Sequence, residues 1–184
     1  MKLLAVPALL LALTACSRHP TLEVFGNIPQ FNLIAQDGQP FHSQALAGKI
    51  WVADFIYTTC PGPCPRMTSQ MREVQDAVSK IPDIRLVSFT VDPAEDTPPV
   101  LSAYAKIHGA SESMWYFLTG SVSTLQMLDR DAFKLGNIDA TMQHSTRFTL
   151  VDRQGRIRGY YDTSEPASIP KLVSDIGELE RERT

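Results

Sequence analysis

Residues 50–67 read IWVADFIYTTCPGPCPRM. Ile50 to Tyr57 is an almost continuous apolar and β-branched run, the pattern of a strand buried on both faces. From Pro65 to Val78 the period changes: Met67, Met71, Val74 and Val78 recur at helical spacing, and Pro65 suits a first helical turn, where its missing N–H is not needed. Cys60 and Cys64 therefore fall between the carboxyl end of a strand and the entrance to a helix. Open α/β sheets gather their sites at such strand ends. A helix start also offers unpaired N–H groups and positive dipole, which favour thiolate over thiol. Pro61, Pro63 and Pro65 stiffen the loop, and Gly62 allows its bend.

Working outward, Ile84 to Val91 reads as a second strand. A helix follows from Pro98 to Ile107, stopped at His108-Gly109. Trp115 to Leu118 is a short strand, and Val122 to Leu135 a helix ended by Gly136. Arg147 to Val151 and Ile157 to Tyr161 form two strands about a turn at Asp152 to Gly155, and Pro170 to Glu180 is a closing helix. Upstream, Phe31 to Ile34 and Pro40-Phe41 flank an Asp37-Gly38 turn signal. This order predicts an α/β fold with a central, mostly parallel β-sheet flanked by helices. With 184 residues, 43% hydrophobic and 20% charged, the chain has the size and composition of one globular domain. A net charge of -3 gives no basic surface for phosphates, so no nucleic-acid partner is expected.

The chain opens MKLLAVPALLLALTACSRHP: one lysine, an apolar run from Leu3 to Leu13, then Thr14-Ala15-Cys16. This is the pattern of a signal peptide over 1–16. Its Leu-Thr-Ala-Cys ending resembles a bacterial lipobox, in which the cysteine carries lipid and becomes the first mature residue. A plain signal peptide or an uncleaved anchor is the alternative. The domain is expected at the periplasmic side of a membrane, lipid-anchored through Cys16, with 17–26 as a tether and 27–184 as the folded domain. Of three cysteines, two then remain in an oxidising compartment.

Two thiols separated by three residues can close a disulfide, chelate one soft ion or pack in a core. A third ligand would decide for metal. Among the four histidines, His19 lies in the tether and His42 near an early turn. His108 sits at a helix end, where an imidazolium would complement the dipole. His144 stands in a polar loop, Thr141 to Ser145, directly before a strand.

Three segments, DFIYTTCPGPCPRMTSQM (54–71), LVSFTVDPAEDTP (86–98) and QHSTRFTLVDRQGRIRGYY (143–161), together resemble the SCO/SenC family, the thioredoxin-like copper proteins of cytochrome c oxidase assembly. The resemblance covers residues 26 to 180. It implies a thioredoxin-like fold, copper as Cu(I) or Cu(II) held by Cys60, Cys64 and His144, a redox disulfide between Cys60 and Cys64, and a cytochrome c oxidase copper-site subunit or another exported copper or thiol protein as partner. Asp92 matches the family's acidic position and would orient His144 or a partner; an Asx-Pro turn is its alternative role. Family members commonly carry an acid inside the cysteine loop and an aspartate before the histidine, where this chain has Gly62 or Pro63, and Gln143.

Thiolates favour Cu(I), and imidazole suits either copper state. Zinc is the second metal considered, but no glutamate is placed by sequence as its general base. The second function is a thiol-disulfide oxidoreductase using Cys60 and Cys64 alone. A peroxidase reading rests on Thr59-Cys60 and is opposed by the second cysteine so close.

Overall fold

The structure, a computed structural model, describes residues 22–136 and 145–182. Its described elements are β1 (Gly26–Asn27), β2 (Asn32–Ala35), β3 (Pro40–His42), β4 (Ile50–Ile56), α1 (Cys64–Val78), β5 (Ile84–Thr90), α2 (Pro98–Ile107), β6 (Trp115–Thr119), α3 (Val122–Met127), β7 (Arg147–Val151), β8 (Arg156–Asp162) and α4 (Ser168–Arg181). The strands form one sheet in the order β1-β8-β7-β4-β5-β6-β2-β3.

All seven residues of β4 are buried, as its unbroken apolar run requires. Ile50, Val52 and Ile56 pack with Met67, Met71 and Val74 of α1, Leu101 of α2 and Leu172 of α4. Trp51, Ala53 and Phe55 face the opposite layer, with Phe31, Phe89, Leu125 and Phe133. The helical spacing read in α1 is therefore its core stripe.

Among the described strands, only β4 with β5 and β5 with β6 pair in parallel; β7 joins β4, β8 joins β7, β1 joins β8, β2 joins β6 and β3 joins β2 antiparallel. The expected mostly parallel sheet is thus corrected to a parallel trio inside an antiparallel frame. The reason is connection length. α1 and α2 are long enough to carry the chain back for parallel return, whereas the short turns after β2 and β7 permit only hairpins. Gly155, at φ 75°, takes the left-handed position of the β7–β8 turn, and its N–H donates to the Asp152 carbonyl at 2.9 Å.

Two further differences from the sequence reading have local causes. The helix expected over Val122 to Leu135 ends at Met127 and widens into a π-helical turn, Leu128–Ala132, closed by Phe133 N–H to the Leu128 carbonyl at 2.8 Å. The widened turn delivers the Phe133 ring against Trp51, Phe55 and Phe89, with centroids 5.5–5.9 Å away. The end of the expected tether is also docked. Gly26 and Asn27 pair with Ile157 and Arg156, and the Arg158 guanidinium donates to the Leu22 carbonyl at 2.8 Å. Residues 1–21, including Cys16 and the expected signal peptide, lie outside the described residues.

Candidate thiol and metal site

β4 runs out at Ile56, and Tyr57 to Pro63 carry the chain to α1, whose first residue is Cys64. Both cysteines are buried, Cys60 at 8% exposure and Cys64 at 0%. Cys60 is the sulfur nearer to solvent. Gly62 N–H donates to Cys60 Sγ at 3.4 Å, and the Cys64 N–H also serves that sulfur. Because Pro61, Pro63 and Pro65 have no N–H, the remaining amides of residues 61–65, those of Gly62 and Cys64, both converge on one sulfur.

The two thiols are driven apart electrostatically. Burial acts to raise the Cys60 pKa, but hydrogen bonds from the Cys64 thiol, the Cys64 and Gly62 amides and the Tyr57 hydroxyl outweigh it and hold Cys60 below an ordinary cysteine. Burial, with the hydrogen bond given to Cys60 and the charges of Cys60 and Asp54, pushes Cys64 up. Donating to Cys60 likewise raises the Tyr57 phenol, aided by burial and by the charges of Cys60, Cys64 and Asp92. One sulfur is thereby prepared as thiolate, and its neighbour retains a proton.

Asp54 lies beneath this pair on the β4 face shared with Val52 and Ile56. It is fully buried; Oδ1 accepts from Ser88 Oγ at 2.6 Å, and Ser88 Oγ accepts from Trp115 Nε1 at 2.9 Å. Oδ2 has no hydrogen-bond partner among the described residues. Burial lifts its pKa to about 7 against the smaller opposing effect of Ser88.

The β5–α2 loop borders the cysteine loop. Asp92 is buried, its N–H donates to Thr90 Oγ1 at 2.9 Å, and its carbonyl accepts the Asp96 N–H at 2.9 Å. The structure therefore places Asp92 in a turn whose charge also reaches Tyr57. Asp96 is 1% exposed and accepts hydrogen bonds from Thr58 and Thr90. Sequence reasoning passed over Tyr57, Asp54 and Asp96. The only available signal was a lone acid inside an apolar run at Asp54.

His144 and Gln143 lie outside the described residues. The β4–β7 register, Trp51 with Val151 and Ala53 with Thr149, brings the start of β7 toward the carboxyl end of β4, the end that carries the cysteines. His42 is exposed and bonded through Nδ1 to Asn32 Oδ1 at 2.7 Å. His108 packs on Tyr104, ring centroids 4.3 Å apart, and burial lowers its pKa. That disfavours the imidazolium expected at the end of α2; Gly109, at φ 67°, takes the left-handed position there instead. Among the described residues no group of three or more His, Cys, Asp or Glu could hold a metal ion. What they supply is a pair of adjacent soft sulfur donors, a set that fits a soft monovalent ion such as Cu(I).

The SCO1/SenC family matches this chain over residues 23–179. The chain belongs to the SCO1/SenC family. The SCO1 protein homolog of Bacillus subtilis is 30% identical over 183 residues, 96% of this chain and 95% of its own length. A SCO1/SenC family lipoprotein from Bacillus anthracis superposes with TM-score 0.78 at 31% identity, covering 84% of this chain and 95% of that one. BsSco, described with a disulfide switch and as a member of the Sco family of cytochrome c oxidase assembly proteins, superposes with TM-score 0.80 at 29% identity, covering 90% and 100%. Bradyrhizobium japonicum ScoI with copper bound shares the fold at 23% identity, TM-score 0.69, covering 84% and 99%. These likenesses bear out the thioredoxin-like α/β fold expected from the sequence, with the strand directions corrected above.

Proposed function

We propose that this SCO1/SenC protein binds copper through Cys60, Cys64 and His144 and delivers it to, or prepares, the copper site of cytochrome c oxidase. The observation that carries this reading is the buried, adjacent Cys60–Cys64 pair at the start of α1, in a chain of this family. Bound copper supplies a soft ion that exchanges between thiolate sets. The chain's residues hold Cys60 as the readier thiolate, keep Cys64 behind it in the core, and confine both in a proline-stiffened loop that costs little entropy to order. Lipidation at Cys16 would place the domain at the periplasmic face of a membrane, beside a membrane-embedded partner; fractionation of Cys16→Ser tests this, with release from the membrane expected.

A specific observation favours a second reading. The opposed shifts of the two thiols suit a dithiol that attacks a partner disulfide through Cys60 and resolves through Cys64. The deciding experiment uses His144→Ala and Cys60→Ser in cells lacking the native protein. Metallochaperone action requires both variants to fail in oxidase assembly, with His144→Ala folded and still able to form its disulfide. Full assembly with His144→Ala and none with Cys60→Ser would assign the protein to thiol reduction instead.

A further inference from the structure

The carboxylate of Asp96 joins two loops. Its Oδ1 accepts from Thr58 Oγ1 at 2.5 Å, the Thr58 N–H reaches both oxygens at 3.2–3.3 Å, and Oδ2 accepts from Thr90 Oγ1 at 2.6 Å. Its own N–H closes the Asp92 turn. Thr58 stands between Tyr57, whose hydroxyl serves Cys60, and the cysteine itself. The donors are one peptide N–H and two hydroxyls, so desolvating the carboxylate is compensated without a cation. A core with no task at this point would be filled as well by apolar side chains.

The geometry points to Asp96 as the positioning residue of the site: by clamping Thr58 to the β5–α2 loop it holds Cys60 at the distance and orientation that the Cys60–Cys64 couple requires. The inference rests on the reading of this pair as the functional centre, and extends it to a residue that touches neither sulfur. It also makes the Asp92 turn and the cysteine loop one mechanical unit, so a partner seated on the turn would be felt at Cys60.

The test reads the dithiol–disulfide equilibrium against glutathione. Two electrons and two protons leave Cys60 and Cys64, their S–S bond forms, and glutathione disulfide is cleaved to two thiols. Freeing Thr58 lowers the effective concentration of one thiol at the other, so Asp96→Ala and Thr58→Val should each shift this equilibrium toward the dithiol by about tenfold. Thr58→Ser, which keeps the hydroxyl, should stay within about twofold of wild type. Urea unfolding of each variant, run alongside, identifies those that remain folded. Should Asp96→Ala fail to fold, Thr58→Val decides. A folded Thr58→Val with the wild-type equilibrium overturns the inference, as does a Thr58→Ser shifted as far as Thr58→Val. Because no copper enters this measurement, failure of the copper reading and failure of the clamp are read separately; the thiolate-to-copper absorption band of the loaded variants is a second, independent readout.

Discussion

Asp54 is a single acidic letter within an apolar run, and its environment decides its chemistry. The folded chain keeps its proton up to about pH 7, whereas an unfolded chain releases it near pH 4. Between those values the folded state binds the extra proton, so this residue makes stability fall as pH rises from about 4 to about 7, and the loss is complete above that. Asp54→Asn removes the effect while retaining an acceptor for Ser88. Unfolding free energies from urea denaturation at about pH 5 and about pH 8 should differ less in the variant than in wild type, by an amount on the order of a few kcal/mol. An equal difference in both proteins would show that Asp54 carries no raised pKa. The cysteines were legible from spacing and residue type. Asp96 was not, because its meaning depends on a contact with Thr58 across 38 positions.

At the level of elements, periodicity revealed β4 and α1 because burial on two faces and on one stripe leaves different patterns. It could not reveal β1. Two residues have no period, and the segment that leads into them is held by Arg158, a charge inside a strand. Arg158 is 4% exposed and donates to Asp152 at 2.9 Å, to Glu182 at 3.1 Å and to the Leu22 carbonyl. Burial of Asp152 opposes its ionisation, but the Arg156 amide, the Arg158 and Arg156 guanidinium groups and the Gln154 amide prevail and hold its pKa below the usual carboxylate value. A depressed carboxylate stabilises the fold above its unfolded pKa, and that stability is lost as pH falls toward its folded value. Arg158→Ala should cost about 3 kcal/mol near neutrality and weaken the acid dependence below about pH 4. Unfolding by urea across that range measures both. In α1, Met71→Ala should cost about 2–5 kcal/mol, since Met71 is fully buried, with a lower thermal midpoint as the readout.

For the whole molecule, the frame of strands explains why fold class was readable while strand direction was overstated. Helix-length crossovers announce parallel neighbours, but hairpin frames depend on which edge the chain returns to, and residues 31–42 and 147–162 carry little signal of that. The same frame sets the limits of the folded unit. A chain beginning at Leu22 retains the Arg158 contact and β1, and should match the full chain in urea stability. One beginning at Pro29 loses both and should unfold at a lower denaturant concentration, with Cys60 and Cys64 still able to form their disulfide.

The alternation of prolines in 61–65 leaves an unusually simple signature for magnetic resonance. Only Gly62 and Cys64 contribute amide protons in that window, and both are aimed at the same sulfur. Any event on Cys60, whether oxidation, metallation or attack on a partner, must move both resonances together, with no other amide of the segment to blur them. The loop thus carries its own pair of reporters, and their paired displacement during titration with a candidate partner would identify the sulfur through which that partner is engaged.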